Sequence, residues 1–148
     1  MSKGNVFENE WLLHVFNNAT LPLIGDAAGL LASAAPGHLY VSLHTGDPGE
    51  AGDQTTSEIA YTNYARMDVD RAAGATGWTV TNNSVSPGAA ITFAASGGGA
   101  GGTVTHFVVG TASVGAGKLL YSGTVSPNIV VSSGVTPQLT TATAITED

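Results

Sequence analysis

Residues 38–45, HLYVSLHT, alternate along the chain: Leu39, Val41 and Leu43 fall on one face, Tyr40, Ser42 and His44 on the other. That two-residue period predicts a half-buried antiparallel strand. The loop GDPGEAGDQTTSEIAYTN and a second strand, YARMDVDR, follow, so 38–71 reads as a hairpin with a long acidic tip. A connection that long is uncommon in a compact domain and tends to serve a function or to be held by a partner.

Upstream, NVFENEWLLHVFN over 5–17 sets Val6, Phe7, Trp11 and Val15, with Leu12 and Phe16, at helical spacings. Asn5 stands where an N-cap belongs, and Glu8 and Glu10 suit the positive end of the helix dipole. An N-terminal amphipathic helix is predicted. From Thr20 to Pro36 the chain is small and apolar, and Asp26 predicts the cap of a short helix ending at Pro36.

Downstream, GWTVTNN, SVSPGAAITFAA, TVTHFVVGTA, GKLLYSGTV, NIVVSSG and QLTTATAIT are short runs of Val, Ile, Thr and aromatics between Gly, Pro, Asn and Ser. Turn signals about every 8 to 12 residues predict a mainly β protein, an antiparallel β-sandwich or barrel-like domain. Residues 1–36 are expected to form a helical arm and 37–148 the β-sandwich domain. The expected core is Leu39, Val41, Leu43, Ile91, Phe93, Val104, Leu120 and Val130. GGGAGG at 97–102 reads as a flexible connector. Leu139, Thr141, Thr143 and Ile145 read as one face of a final, threonine-rich edge strand.

Composition narrows the function. Only 10% of residues are charged, against about 25% in ordinary soluble domains, while 43% are hydrophobic. So little charge points to surface covered by copies of the same chain or by another protein, and the apolar content excludes general disorder. A net charge of −7 with four cations, Lys3, Arg66, Arg71 and Lys118, leaves no basic patch for nucleic acid. Without cysteine there is neither a disulfide framework nor a thiolate metal site. The N-terminus does not read as a signal peptide and no apolar run has spanning length, so the chain is expected to be made in the cytoplasm, with no membrane partner.

Candidate chemistry is sparse. His38 and His44 share a strand face but lie roughly 20 Å apart when extended, too far for one ion, and His106 adds nothing that brings them together. Asp47, Glu50 and Asp53 have the look of a calcium loop without the ligand spacing of an EF-hand, so a solvated acidic loop is the default. Ser42, His44 and Asp47 include the residue types of a triad, with nothing to form an oxyanion hole. GGGAGG lacks the lysine and helix of a phosphate loop. The N-x-S/T triplets at Asn18 and Asn82 carry no meaning without secretion. No enzyme, metal or cofactor is expected.

Three blocks together resemble a family of small structural proteins encoded by tailed bacteriophages. They are NVFENEWLLHVF; HLYVSLHTGDPGEAG with YTNYARMDVDR; and AITFAA, GTVTHFVVGTA, GKLLYSGTV and VSSGVTPQL in that order. Family members share a helical N-terminus, a strand and loop of the LYVALHT type, a GYAR strand, and later GTVTHF and LLFYG strands. This chain departs at 97–102, where others carry an aromatic or acidic turn. The resemblance implies a virion component. The leading expectation is a capsid decoration (cement) protein, a trimer on the major capsid protein; the alternatives are a tail or neck fibre-like appendage bound to other virion proteins, and a carbohydrate-binding module stacking sugars on Trp78, Tyr61 or Tyr64. Phe7, Trp11 and Phe16 of the helix and Asp47, Glu50, Asp53, Tyr61 and Tyr64 of the loop are the expected partner contacts.

Overall fold

The computed structural model describes residues 2–148. One helix, α1 (Asn5–Asn17), precedes nine strands: β1 (His38–His44), β2 (Met67–Asp70), β3 (Trp78–Thr81), β4 (Ser84–Pro87), β5 (Ile91–Thr92), β6 (Gly102–Gly110), β7 (Leu119–Val131), β8 (Gln138–Leu139) and β9 (Ile145–Thr146). The protein is mainly β, and the strand pairings β1–β6, β6–β7, β3–β4, β4–β9 and β5–β8 are antiparallel. The chain forms two compact units. One comprises the residues up to His38 with Val69–Ala90 and Thr140–Asp148; the other comprises Leu39–Asp68 and Ile91–Leu139.

In the first unit α1 packs with the hairpin β3–β4, to which β9 adds a third strand. Gly4, in extended conformation, occupies the N-cap in place of the expected Asn5, and no side chain caps the helix. The buried stripe is Glu8, Leu12 and Phe16, spaced by four. Phe7 and Val6 lie outside it, so the helix presents apolar groups on two sides and is not cleanly amphipathic. Asn18, at φ 54°, ends the helix in the left-handed C-cap conformation that asparagine tolerates. Arg71 completes that end: its Nε donates to Val15 O at 2.7 Å, and a second guanidinium N–H donates to His14 O.

The short helix expected before Pro36 does not form. Leu21 and Leu30 pair by two backbone hydrogen bonds of 2.9 and 2.8 Å and close the intervening residues into a loop. Gly29 at φ +67° shows why: a Cβ there would lie 2.0 Å from Leu21 O, and a helix cannot pass through the positive φ of Leu23, Gly25 and Gly29. Asp26 caps a turn here, its Oδ1 accepting from Ala28 N and Gly29 N at 2.8 and 3.0 Å.

In the second unit β1, β6 and β7 lie side by side in that order, and β5 pairs with β8. The β1–β6 register runs from Tyr40 opposite Gly110 to His44 opposite His106. Leu39, Val41, Leu43, Ile91, Phe93 and Val104 are buried as expected, but so are Ser42 and His44, because the end of β1 is covered on both faces. Leu120 is half-buried and Val130 is 66% exposed, with Val131 inside instead. The cause is a bulge. Val104 faces Ile129 but His106 faces Thr124, so the extra residues of β7 reset the alternation that a parity count assumes.

Two further expectations change. The glycine run is no free connector: Gly97 N donates to Thr62 O, Thr62 N to Gly98 O and Gly101 N to Ala60 O, at 2.8–2.9 Å. The final edge strand divides, since Gln138–Leu139 joins β5 and Ile145–Thr146 joins β4. Thr140 makes the turn between them, its Oγ1 accepting from Ala142 N and its carbonyl from Thr143 N.

Candidate interaction surface

The loop after β1 is not a free acidic tip. Arg66, its side chain 3% exposed, pairs bidentately with Glu58 through Nε–Oε1 at 2.8 Å and Nη2–Oε2 at 2.7 Å. The same guanidinium donates to Ala112 O and Gln54 O. Gln54, fully buried, accepts from Ala112 N through Oε1 and donates its backbone N–H to Ala116 O. Gly110 and Gly117 make room for it, since a Cβ on either would lie within 2.2 Å of its side chain. Tyr64 OH donates to Glu58 and accepts from Leu43 N, and burial pushes its ionisation far upward.

The expected loop contacts accordingly separate. Tyr61 is buried, its hydroxyl donating to Ala94 O, and its ring meets Tyr64 edge-on at 5.2 Å. Tyr64 stacks on buried Phe93 at 6.2 Å. Asp47 and Glu50 are exposed and Asp53 half-exposed. Asp47 Oδ1 accepts from Gly49 N, and Asp53 Oδ1 accepts from the hydroxyl and the N–H of Thr55, whose hydroxyl chiefly holds the Asp53 carboxyl below its ordinary range. These are turn-forming bonds of short polar side chains to nearby backbone. Among the described residues no three His, Asp or Glu side chains gather as ligands for an ion.

Ser42 and His44 do touch, at 2.8 Å from Oγ to Nε2. His44 Nδ1 lies 2.8 Å from Thr56 O, a pure acceptor, so Nδ1 carries the proton and Nε2 accepts from the Ser42 hydroxyl. Both residues are fully buried, so no substrate reaches the hydroxyl. Burial holds the imidazole below its ordinary pKa, and the ring links Ser42 on its own strand to Thr56 of the loop that covers it.

In the first unit the expected helix contacts separate too. Phe16 is fully buried, its ring edge-on to Trp78 at 4.8 Å, and Trp78 is 2% exposed. With Trp78 and Tyr61 both inside, two of the three rings expected to stack sugars offer no face. Phe7 is 37% exposed beside half-buried Trp11, whose ring also lies near His14. Missed altogether in the sequence are Leu23 and Leu31, 79% and 68% exposed, with Ile24 and Leu30 beside them in the chain. The signal lies in LPLIGDAAGLL, an apolar run of which the part from Asp26 reads as a helix. A polar cleft in the same unit is lined by Asn5, Glu8, Asn9, Glu10, Asn82 and Asn83, with Val6.

Sealed polar groups and outward apolar ones define a β-rich structural module whose working parts are surfaces. Residues 3–146 match the family described as Podophage GP4 fiber I protein gp80, and the chain belongs to that family. No curated protein matches the sequence. The protein is a structural component of a phage fibre, and so of the virion. This corrects the leading expectation: the family match is to a fibre, not to a cement protein of the head. No helix among the described residues is long and apolar enough to cross a membrane.

Proposed function

We propose that the protein is a subunit of the tail-fibre apparatus that contributes shape and contact area, carries out no reaction, and serves host adsorption by holding fibre components in place. The observation that carries this reading is the fibre family match across residues 3–146. The Ser42–His44 pair agrees with it because it is shut off from solvent. The partners are other virion proteins and further copies of the chain, a trimer being the proposed form. Phe7 and Trp11 on α1, and Asp47, Glu50 and Asp53 on the loop, are the outward groups of the expected set and the ones assigned to contacts. Immunogold labelling of intact particles with a copy count tests it. A few copies at the tail support the reading; hundreds over the head, or none, refute it.

A further inference from the structure

Glu8 is 5% exposed, yet among the described residues no donor forms a hydrogen bond or ion pair with its carboxylate. It lines the cleft beside the first turns of α1, about 690 Å³ in volume, so the little surface it keeps opens there. The helix dipole favours a carboxylate in the first turn, but a charge so far out of water ordinarily has a hydrogen-bonded counter-charge. Lys3 acts on Glu8 only through space, because its Nζ donates to Glu147 Oε2 at 2.6 Å and to Asp148 O at 3.1 Å. The neighbouring amides leave the cleft rich in acceptors. Asn9 Nδ2 donates to Asn82 O at 2.8 Å and Asn83 Nδ2 to Glu147 O at 3.0 Å, so both spend donors on backbone, and half-buried Glu10 adds a second carboxylate. A bare metal ion fits poorly: Glu8 and Glu10, two residues apart on a helix, do not face each other, and no three acidic or histidine side chains gather among the described residues. An ammonium fits well, with three donors at the end of a four-carbon stem.

We infer that the cleft receives the ammonium of Lys118 from a second copy of the chain. Lysine and arginine number four in all, and three are engaged: Lys3 on Glu147, Arg66 on Glu58, and Arg71 on the carbonyls of His14 and Val15. Lys118 is exposed, and no described group meets its ammonium. Its backbone is nonetheless fixed, because Lys118 N donates to Thr111 Oγ1 at 2.9 Å and Thr111 N to Lys118 O at 3.1 Å. A cation held at its root loses less freedom on docking. Each copy thus offers one unpaired cation and one enclosed, unpaired carboxylate, and pairing them between copies satisfies both. The flanking residues suit the same contact: Val114, in the bend before Lys118, is 81% exposed, and Val6, in the lining of the cleft, is 73% exposed. The two surfaces differ, so the contact is head-to-tail, the kind that closes into a ring such as a trimer or runs on as a filament. The inference rests on the reading of a fibre component present in several copies, and names what joins them.

Sedimentation velocity of the purified full chain measures self-association, and a carbodiimide, which couples a carboxylate to an amine it touches, reports the contact by mass spectrometry. The chain should associate, and linked pairs of chains should carry the bond between Glu8 and Lys118. Lys118→Met and Glu8→Gln should each weaken association at least about tenfold, and the double variant should be no weaker than the poorer single, as a direct pair requires. Circular dichroism of Lys118→Met should match that of the unsubstituted chain, since this side chain lies in solvent. Undiminished association of Lys118→Met, additive losses in the double variant, or a Glu8 link to Lys3 alone overturns the inference. So does a chain that stays monomeric; immunogold label at the tail then leaves the fibre reading standing, whereas absence of that label defeats the fibre reading whatever sedimentation shows.

Discussion

Phe16 sets the edge of its ring against Trp78 at 4.8 Å, and this contact joins the helix to the β3–β4 hairpin in the first unit. Neither ring reaches solvent. Edge-to-face aromatic pairs add about 0.5–1.5 kcal/mol beyond the area they bury. Phe16→Ala should therefore cost about 3–5 kcal/mol, the range for truncating a buried aromatic, read as a lowered denaturant midpoint. Phe7→Ala, at a 37% exposed ring, should change stability by well under half as much.

The Arg66–Glu58 pair should behave as one object. Removing the carboxylate leaves a nearly enclosed guanidinium without its partner, and breaking a buried pair typically costs about 3–5 kcal/mol. Glu58→Ala should lie near the lower figure, because Glu58 is 16% exposed and Arg66 keeps its bonds to Ala112 O and Gln54 O. Hydrogen exchange should quicken at Gln54 and Ala112 N–H. Unchanged exchange there would mean that the loop is held by other contacts.

His44 gives stability a defined pH dependence. Burial sets its folded pKa below the ordinary value of 6.5. The unfolded chain therefore binds the proton first, and stability falls as pH drops below about 6.5 toward the folded value. The contribution is complete above that point. The slope cannot exceed about 1.4 kcal/mol per pH unit for a single proton. Thermal melts between pH 7.5 and 5.5 should show the loss, and His44→Gln should flatten it.

Gly29 is the closing residue of the apolar loop, and Gly29→Ala forces a Cβ to within 2.0 Å of Leu21 O at positive φ. A cost of about 1–3 kcal/mol is expected. It should be confined to the loop, seen as faster exchange at Leu21 and Leu30 N–H with the Phe16–Trp78 core unaltered by near-ultraviolet circular dichroism.

The sequence carried the strands best where a single rule governed them. Leu39, Val41 and Leu43 alternate because β1 is regular, and their burial follows. Val130 fails because the bulge between Val104 and His106 adds residues to β7 that no parity count contains. The end of the chain fails for a related reason: Leu139, Thr141, Thr143 and Ile145 keep perfect alternation, yet Thr140 turns the backbone and sends the two halves to different sheets.

The surface was less legible than the fold. An aromatic in a helix at spacing four or five is consistent with either side, and it was the partner ring of Trp78, distant in sequence, that drew Phe16 inward and left Phe7 out. Tyr61 and Tyr64 looked like loop residues, but carbonyl, carboxylate and aromatic neighbours from other segments enclose them. In the apolar run from Leu21 to Leu31 the positive φ of Gly25 and Gly29 decides between helix and loop, and composition does not reveal it.

The most direct measurement is the position of this chain in an electron-microscopy reconstruction of the whole particle. The account places its density in the tail-fibre assembly. Density spread over the head shell, or none attributable to the chain in complete particles, would contradict it.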